Sequence, residues 1–405
     1  MTDASADAVV DTSVDETGAA TPHVAQVAPP IVTRFAQWVR SSGIGVPIAV
    51  WAASRFTILA AAVASTWLRP DAPLLGILHS YDGLWFERIA AQGYPASVTA
   101  EVGGGNRWGF FPAWPALIRV AQRLTGGSFA AVAIVTAALV GLVATLAIWQ
   151  AVVDVLGRRT ADGTIAVICF LPSAYVLGMS YSESLLLVAV GIAFVALHRQ
   201  WWWLAGVAAA LAGATRLAGL AVVAVVVAAS AVAIVRDRDR RAVGGLLLAP
   251  LGFLAWIALQ WSVTGSPLAF VRAQAAFGNQ SGFLVDTLSD SVKIVTEFGL
   301  ANGPPLLGAA SLVVVVVGVV AMARHRDIPW TWWMFTLLVV ISSFTSTWVR
   351  TNLRYLLPAF PMYAAFVAWL PRRFLPVWVG CSAALMGMLA LVVFQGVVGT
   401  LPFPP

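Results

Sequence analysis

Long apolar runs separated by short polar segments form most of this chain. A helix needs about 20 residues to cross the hydrocarbon core of a bilayer. Nine stretches approach or exceed that length: 44–67, 128–153, 163–180, 183–198, 242–263, 304–322, 330–347, 353–370 and 374–396. A further run, 201–235, is too long for one ordinary span and is interrupted by "GATRLAG", so it predicts two short helices with a turn near Arg216. The pattern therefore predicts about eleven membrane-spanning helices.

Clusters of basic residues give the orientation of these helices. The clusters precede the first span or fall in alternate loops, at Arg34 and Arg40, Arg158 and Arg159, His198 and Arg199, residues 236–241, residues 324–326, and Arg372 and Arg373. All six lie on one side if the run 201–235 crosses out and back. The positive-inside rule makes that side cytoplasmic. The N-terminus is then cytoplasmic, and two long loops, about 68–127 and 264–303, lie on the outer side.

Composition supports an integral membrane protein in contact with membrane lipids. Of the 405 residues, 60% are hydrophobic and only 10% are charged, whereas a soluble domain is about a quarter charged. The net charge of +6 comes from arginines in loops and does not indicate nucleic acid. Residues 1–40 are acidic, small and polar, which predicts a disordered cytoplasmic tail before a single polytopic domain, 41–400. Cys169 and Cys381 lie in apolar runs and indicate neither a disulfide framework nor a zinc site.

The stretch "DGLWFERIAAQGYP", residues 82–95, predicts a short amphipathic helix in the first outer loop. Trp85 and Phe86 fall on its apolar face, which we expect to lie in the outer membrane interface, and Gly93 ends the helix. Asp82 stands at or beside the first residue. It caps the helix, acts as a base on lipid-linked substrates at the head-group level, or does both.

Other polar residues gather on the same side and leave alternatives open. Glu87 is a solvated charge or a partner of Arg88. Glu183, expected at the outer mouth of a span, is a ligand for a sugar hydroxyl or a cation, or an acid favoured by a helix N-terminus. Arg216 interrupts an apolar run and should be paired or face a cavity. The remaining candidates are His79, Arg107, Tyr181, Gln274, Gln280, Arg350 and Arg354.

Within the first span, Arg55 is expected to pair with an acid of the bundle, in a structural or a functional role.

Five segments, taken in order, resemble one known family. They are "YDGLWFERIAAQGYP" (81–95), "NRWGFFPAWPALIRV" (106–120), "SYSESLLLV" (180–188), "SPLAFVRAQAAFG" (266–278) and "NLRYLLPAFPMY" (352–363). Together they resemble the PIG-V-type (GPI mannosyltransferase-like) enzymes, which are multi-span glycosyltransferases of the GT-C class. The resemblance covers about residues 45–370. The chain departs from the family at Tyr81, where a Trp is usual.

This resemblance implies an all-α polytopic GT-C fold and a bacterial, actinobacterial-like mannosyltransferase of the plasma membrane. Such an enzyme takes mannose from a polyprenyl-phosphate-mannose donor and transfers it to a lipid-linked or glycolipid acceptor on the non-cytoplasmic side. The transfer inverts the configuration of the sugar. It implies Asp82 as the catalytic base and no cofactor or obligatory metal. The substrate-binding residues that it implies are Glu183, Arg107, Arg354, Arg216, Tyr181, Gln274 and Tyr355.

Two interpretations apply to the arginines on the outer side. Arg107, Arg350 and Arg354 either extend to the interface as anchors or bind the donor phosphate through the planar fork of the guanidinium. For the whole chain, the alternatives are a GT-C transferase of another polyprenyl-phosphate sugar, or a transporter or flippase of lipid-linked sugars. A transporter should carry ionisable groups at the midplane of the membrane, whereas the acids here are expected at one face.

Overall fold

The computed structural model describes residues 43–101, 105–277, 303–344 and 352–395, and within these ranges every regular element is a helix. In the first half, the α-helices are α1 (Gly45–Leu68), α2 (Leu74–Leu78), α3 (Asp82–Gln92), α4 (Ala113–Thr125), α5 (Phe129–Leu156), α6 (Arg158–Cys169), α7 (Glu183–His198) and α8 (Trp202–Gly213). In the second half they are α9 (Gly219–Arg236), α10 (Val243–Leu248), α11 (Leu251–Thr264), α12 (Ala269–Ala276), α13 (Gly303–Arg324), α14 (Trp330–Phe344), α15 (Asn352–Tyr355), α16 (Phe360–Trp369) and α17 (Leu375–Phe394). The predicted tail, 1–40, and most of the second outer loop lie outside the described residues.

The predicted all-helical, multi-span architecture is confirmed, although many of its helices are short. Five helical segments of the described part are long and apolar enough to cross a membrane: Gly45–Leu68, Phe129–Leu156, Gly219–Arg236, Arg240–Thr264 and Arg372–Phe394. A bent pair makes a sixth candidate, and five further apolar helices have 10–17 residues. The eleven predicted spans therefore correspond to eleven apolar helical segments, of which at most six meet the length of a full span.

The run 201–235 divides as predicted, into α8 and α9 with Arg216 in the connecting turn. The stretch 163–180, predicted as one straight span, is broken instead. Helix α6 ends at Cys169, and a 3-10 helix, Pro172–Gly178, continues at an angle of 81°. The cause is local, because Pro172 lacks a backbone N–H and disfavours helical backbone in the residue before it.

Helices α5 and α7 pack side by side and run in the same direction. Near the start of α7, a β-carbon added to Gly141 would lie 3.3 Å from Ser184 Oγ. At its end, Arg199 Nε lies 3.2 Å from Asp154 Oδ2. Both helices therefore advance together towards the side that carries the basic clusters.

Because of this packing, α7 begins next to the middle of α5 and not next to its outer end. The segment of α5 from Phe129 to Gly141 extends beyond α7, and its thirteen residues span roughly 18 Å, or twelve steps of about 1.5 Å. Glu183, the first residue of α7, was predicted at the outer mouth of a span. It begins its helix as predicted, at a level well below the outer end of α5, because the broken helix before it stops short of that end. Its level in the membrane stays a prediction.

An aromatic cluster holds the first outer loop against α11 and α12. Tyr94 stacks on Trp108 with ring centroids 4.5 Å apart, and Trp108 packs against Trp256 at 5.4 Å. The Trp108 indole donates a hydrogen bond to the carbonyl of Pro95 at 2.8 Å. Burial raises the pKa of Tyr94 far above its usual range, so its hydroxyl stays a neutral donor, here to the carbonyl of Phe110. The loop after α3 is thereby fixed.

The predicted orientation can be tested by labelling single cysteines with a membrane-impermeant thiol reagent. A background of Cys381→Ser is needed, because Cys381 is exposed whereas Cys169 is buried. Ala100→Cys, in the first outer loop, should react in intact cells, and Arg238→Cys, between α9 and α10, only after permeabilisation. Both positions are exposed in the folded chain, so access through the membrane alone decides the result. The reverse pattern would place the loop 68–127 in the cytoplasm.

Candidate active site

Asp82 begins α3, but it does not cap the helix. The N-cap residue is Tyr81, with φ 56° and ψ −113° and no capping bond from its side chain. A positive φ is costly for a residue with a β-carbon, and the Tyr81 hydroxyl is held by a hydrogen bond to the carbonyl of Val393 at 3.1 Å. The expectation that Asp82 caps the helix is therefore wrong, since its carboxylate is directed to another partner.

That partner is Arg354, on the four-residue helix α15. Arg354 Nη2 lies 2.6 Å from Asp82 Oδ2, and Arg354 Nε donates to Glu183 Oε1. The arginine side chain is only 6% exposed, and its guanidinium lies 4.6 Å from the centroid of the Tyr181 ring. One buried cation thus joins an acid of the first outer loop to the acid that begins α7.

Glu183 binds a second cation. Its Oε1 also accepts a hydrogen bond from Arg216 Nη1 at 2.8 Å, and the same nitrogen lies 3.2 Å from Ser182 Oγ. Arg216 further lies over the ring of Tyr355, at 5.8 Å. The N-terminal position of Glu183 on α7 also favours its negative charge. Arg216 is therefore paired, as its position in an apolar run requires.

We refer to Asp82, Glu183, Arg216 and Arg354 as the charge network. It contains two acids and two cations, so it is neutral as a unit. Taking a charge out of water costs several kcal/mol unless close partners compensate, and each of these groups has such a partner. The sequence named all four residues as candidates, and the structure brings them together.

Two polar atoms beside the network have no hydrogen-bond partner among the described residues: Glu183 Oε2 and the hydroxyl of Tyr181. Both residues are almost fully buried, at 4% and 1% exposure. A buried polar group left without a partner costs about 1–3 kcal/mol. One acceptor and one hydroxyl are thus available for a polar ligand.

A small cavity adjoins the network and has two kinds of wall. Its polar wall consists of Glu183, Arg216, Arg354 and Tyr355. Its apolar wall consists of Leu186, Leu187, Ala218, Leu357 and Pro358. Such a surface suits an amphiphilic molecule with a charged head and a hydrocarbon chain.

A second polar chain, which the sequence did not reveal, lies under the start of α3. His79 Nδ1 is 2.8 Å from Ser180 Oγ, and His79 Nε2 is 3.0 Å from Glu87 Oε2. Glu87, expected to be solvated or paired with Arg88, pairs with His79 and keeps 46% of its side chain exposed, so it is partly solvated as expected. Arg88 lies over the Trp85 ring at 5.0 Å. The pairing of His79 with Ser180, 101 residues away, left no signal in the spacing.

The apolar face of α3 is buried in protein rather than laid freely on the interface. Phe86 is 2% exposed and packs edge-on against Phe110 with ring centroids 5.3 Å apart. Trp85 contacts Phe110 at 5.9 Å and Phe277 at 5.5 Å. The predicted helix, including its end at Gly93 with φ 70°, is confirmed.

Two predicted substrate-binding residues have their described contacts away from the network. Arg107 Nε lies 3.0 Å from Glu101 Oε2, and its Nη1 donates to the carbonyl of Gly93 at 2.8 Å. Gln274 Nε2 lies 3.4 Å from the carbonyl of Gly109. These contacts order the outer loop, and a substrate role for either residue stays a prediction. The candidates Arg350 and Gln280 lie outside the described residues.

Arg55, expected to pair with an acid of the bundle, forms no ion pair with a carboxylate in the part of the chain described here. Its Nε lies 3.3 Å from Ser54 Oγ. No group of three or more His, Cys, Asp or Glu side chains suited to a metal occurs within the described ranges. Independence from metal ions stays a prediction.

No family model matches the chain, and no curated protein matches it. Among solved structures, the chain is similar to the oligosaccharyltransferase AglB of Archaeoglobus fulgidus in the apo form, with 14% identity and a TM-score of 0.47 over 84% of this chain and 56% of AglB. It is also similar to ArnT of Cupriavidus metallidurans bound to undecaprenyl phosphate, with 16% identity and a TM-score of 0.47 over 90% of this chain and 76% of ArnT. The chain thus spans about half the length of the AglB structures that it matches. Neither likeness supports an inference about chemistry, which has to rest on the residues of this chain.

The charge network should be measurable as a stability element. Glu183→Gln preserves the shape of the side chain but removes the acid that binds both Arg216 and Arg354. Asp82 is then the one acid left in the charge network, and it contacts Arg354. Breaking a buried pair costs about 3–5 kcal/mol, so the melting temperature of the purified protein in detergent should fall clearly. The matched control is Asp71→Asn, whose side chain is 78% exposed and lies 3.8 Å from Arg69; an exposed pair contributes about 0–1 kcal/mol. Equal melting temperatures for the two variants would contradict a stabilising network.

Proposed function

We propose that this chain is a GT-C-class mannosyltransferase that takes mannose from polyprenyl-phosphate-mannose and transfers it, with inversion, to a lipid-linked or glycolipid acceptor. One observation supports this most strongly. Arg354 joins Asp82 to Glu183, and each of the three residues lies in a different segment of the resemblance to PIG-V-type enzymes. Segments far apart in sequence thus meet at one site.

The proposed reaction is a single displacement at the anomeric carbon. The acceptor hydroxyl attacks carbon 1 of mannose, the new glycosidic bond forms, and the bond from carbon 1 to the phosphate oxygen breaks. Polyprenyl phosphate leaves, and the hydroxyl proton passes to Asp82 as general base. One displacement inverts the configuration, as in the inverting glycosidases, and it requires only one base.

The two walls of the cavity suggest how the donor binds. Arg354 and Arg216 would bind the donor phosphate and stabilise the charge that develops on it as the leaving group. The isoprenoid chain would follow the apolar wall formed by Leu186, Leu187 and Leu357. Glu183 Oε2 and the Tyr181 hydroxyl, which have no partner in the described protein, would bind hydroxyl groups of the sugar.

The position of Arg354 also suggests an order of events. Without donor, its guanidinium binds Asp82 at 2.6 Å, and a paired carboxylate is a weak base. A donor phosphate would compete for the same guanidinium, release Asp82 and leave it free to accept a proton. Donor binding would then precede activation of the acceptor.

The depth of Glu183 keeps the transporter alternative open to experiment. Glu183 lies below the outer end of α5 and binds the same guanidinium as Asp82, and a site inside the bundle is also compatible with a transporter. Membranes from cells with and without the gene, incubated with radiolabelled polyprenyl-phosphate-mannose, separate the two functions. A transferase forms a labelled product that is missing in the deletion, whereas a flippase leaves the donor chemically intact. If the membranes transfer a different sugar from its polyprenyl-phosphate donor but do not transfer mannose, the related GT-C alternative is supported.

We expect Asp82→Asn to abolish most of the transfer while the protein still accumulates in membranes. Loss of a general base lowers the rate about 10²–10⁴-fold, and Asn retains nearly the shape of Asp. The control is Asp71→Asn, which removes an exposed carboxylate elsewhere in the first outer loop and should retain full transfer. Single-turnover transfer measured in membranes checks the result. Near wild-type transfer by Asp82→Asn would leave Asp82 only a structural partner of Arg354.

Arg354→Lys should also impair transfer, and Arg354→Ala more severely. Lysine keeps the charge but presents its three N–H groups from one nitrogen instead of a planar fork, so it cannot bind the phosphate through two parallel hydrogen bonds. The defect should appear mainly in the rate at saturating donor, because the charge of the leaving group grows in the transition state. The control Arg69→Lys alters a half-exposed arginine on the outer side of α1 and should be neutral. Full activity in Arg354→Lys, across donor concentrations, would exclude the phosphate role.

A further inference from the structure

A second polar cavity lies inside the bundle, on the face of α7 next to the one that borders the charge network, and Leu187 lines both cavities. It is lined by four polar side chains, Arg55, Thr145, Cys169 and Ser184, and otherwise by apolar residues of the surrounding helices. These residues belong to α1, α5, α6 and α7, so four helices meet at this point.

Three buried donors around this cavity have no hydrogen-bond partner in the described part of the protein: Trp51 Nε1, Arg55 Nη1 and Ser184 Oγ. Ser184 is only 1% exposed. A β-carbon added to Gly141 would lie 3.3 Å from Ser184 Oγ and 3.6 Å from Trp51 Nε1. Ser184 and Trp51 therefore both pack closely on Gly141, and their two donors lie near each other.

The charge around this cavity is not balanced. Arg55 is cationic at any working pH, and no carboxylate lines the cavity. The nearest acid along α7 is Glu183, which belongs to the charge network. The two acids of that network already bind Arg216 and Arg354, so neither compensates the charge of Arg55. An uncompensated cation inside an apolar bundle is strongly unfavourable. The first turn of α7, which contains Ser184, adds the positive end of a helix dipole.

We propose that this cavity binds one monatomic anion of halide size, such as chloride, between Arg55, Ser184 and Trp51. The anion would accept hydrogen bonds from the three donors and neutralise the guanidinium. It would also join α1, α5 and α7 just beneath the charge network. The cavity has room for about one water-sized particle, which excludes phosphate-sized anions. The site is independent of the proposed transfer reaction.

The test uses the purified full-length chain in detergent, with sodium gluconate exchanged for sodium chloride at constant ionic strength. The melting temperature should rise with chloride and level off, because a ligand that binds only the folded state stabilises it by mass action. Ser184→Ala removes a hydroxyl without a protein partner, so it should fold normally and require about tenfold more chloride for the same effect. Arg55→Met should lose the chloride dependence, whereas Arg119→Met, at an exposed arginine on α4, should retain it.

A direct measurement accompanies the titration. Crystals grown in bromide should show an anomalous peak between Arg55 and Ser184, and crystals of Arg55→Met should not. A chloride effect that is equal in Arg55→Met and in the wild-type chain would be a general salt effect and would overturn the proposal. Absence of both the chloride dependence and the bromide peak would overturn it too. The balancing negative charge would then come from the protein, and Cys169, which lines the cavity, is the group able to supply it.

Discussion

The contact on which the site depends is the double ion pair of Arg354. Its guanidinium presents N–H groups in a rigid plane, which allows one side chain to bind Asp82 through Nη2 and Glu183 through Nε. Inside an apolar bundle the attraction between charges is weakly screened, and an unpaired charge is correspondingly costly. The two acids and two cations therefore exist as a set, and removing one member changes the energy of the other three.

The helices around this contact are shaped to permit it. If residues 163–180 formed one straight helix, Glu183 would lie near the outer end of α5. The break after Cys169 and the 3-10 helix that follows return the chain early, so α7 starts inside the bundle with an acid in its first turn. Arg216 reaches this acid from the turn between α8 and α9, and Arg354 from a helix of four residues. Each charged group thus lies where a helix begins or ends, and backbone groups without helical partners are available there.

Much of this fold follows from local sequence, because apolar length, breakers and caps act over short distances. The paired helices around Arg216 and the end of α3 at Gly93 were predicted for that reason. The site itself was predicted only as a set of candidates. The partners of Arg354 lie 171 and 272 residues away, and no periodicity encodes such a distance. The level of Glu183 beside α5 was not predicted, because hydropathy measures the length of a run and not its position along a neighbouring helix. The pairing of Glu87 with His79 was missed because the charge of Arg88 is closer along the chain, although its side chain turns to Trp85.

The same electrostatic constraint explains why α7 has polar groups on two sides. On one side, Glu183 needs cations, and two arginines from later in the chain supply them. On the other side, Ser184 and Arg55 offer donors and positive charge without an acid. Because α7 is a single rigid helix, the two sides cannot adjust separately: a shift that relaxes Arg55 also moves Glu183 relative to Arg354. In the proposed site, an anion bound between Arg55 and Ser184 would therefore also help to hold Glu183 against Arg354.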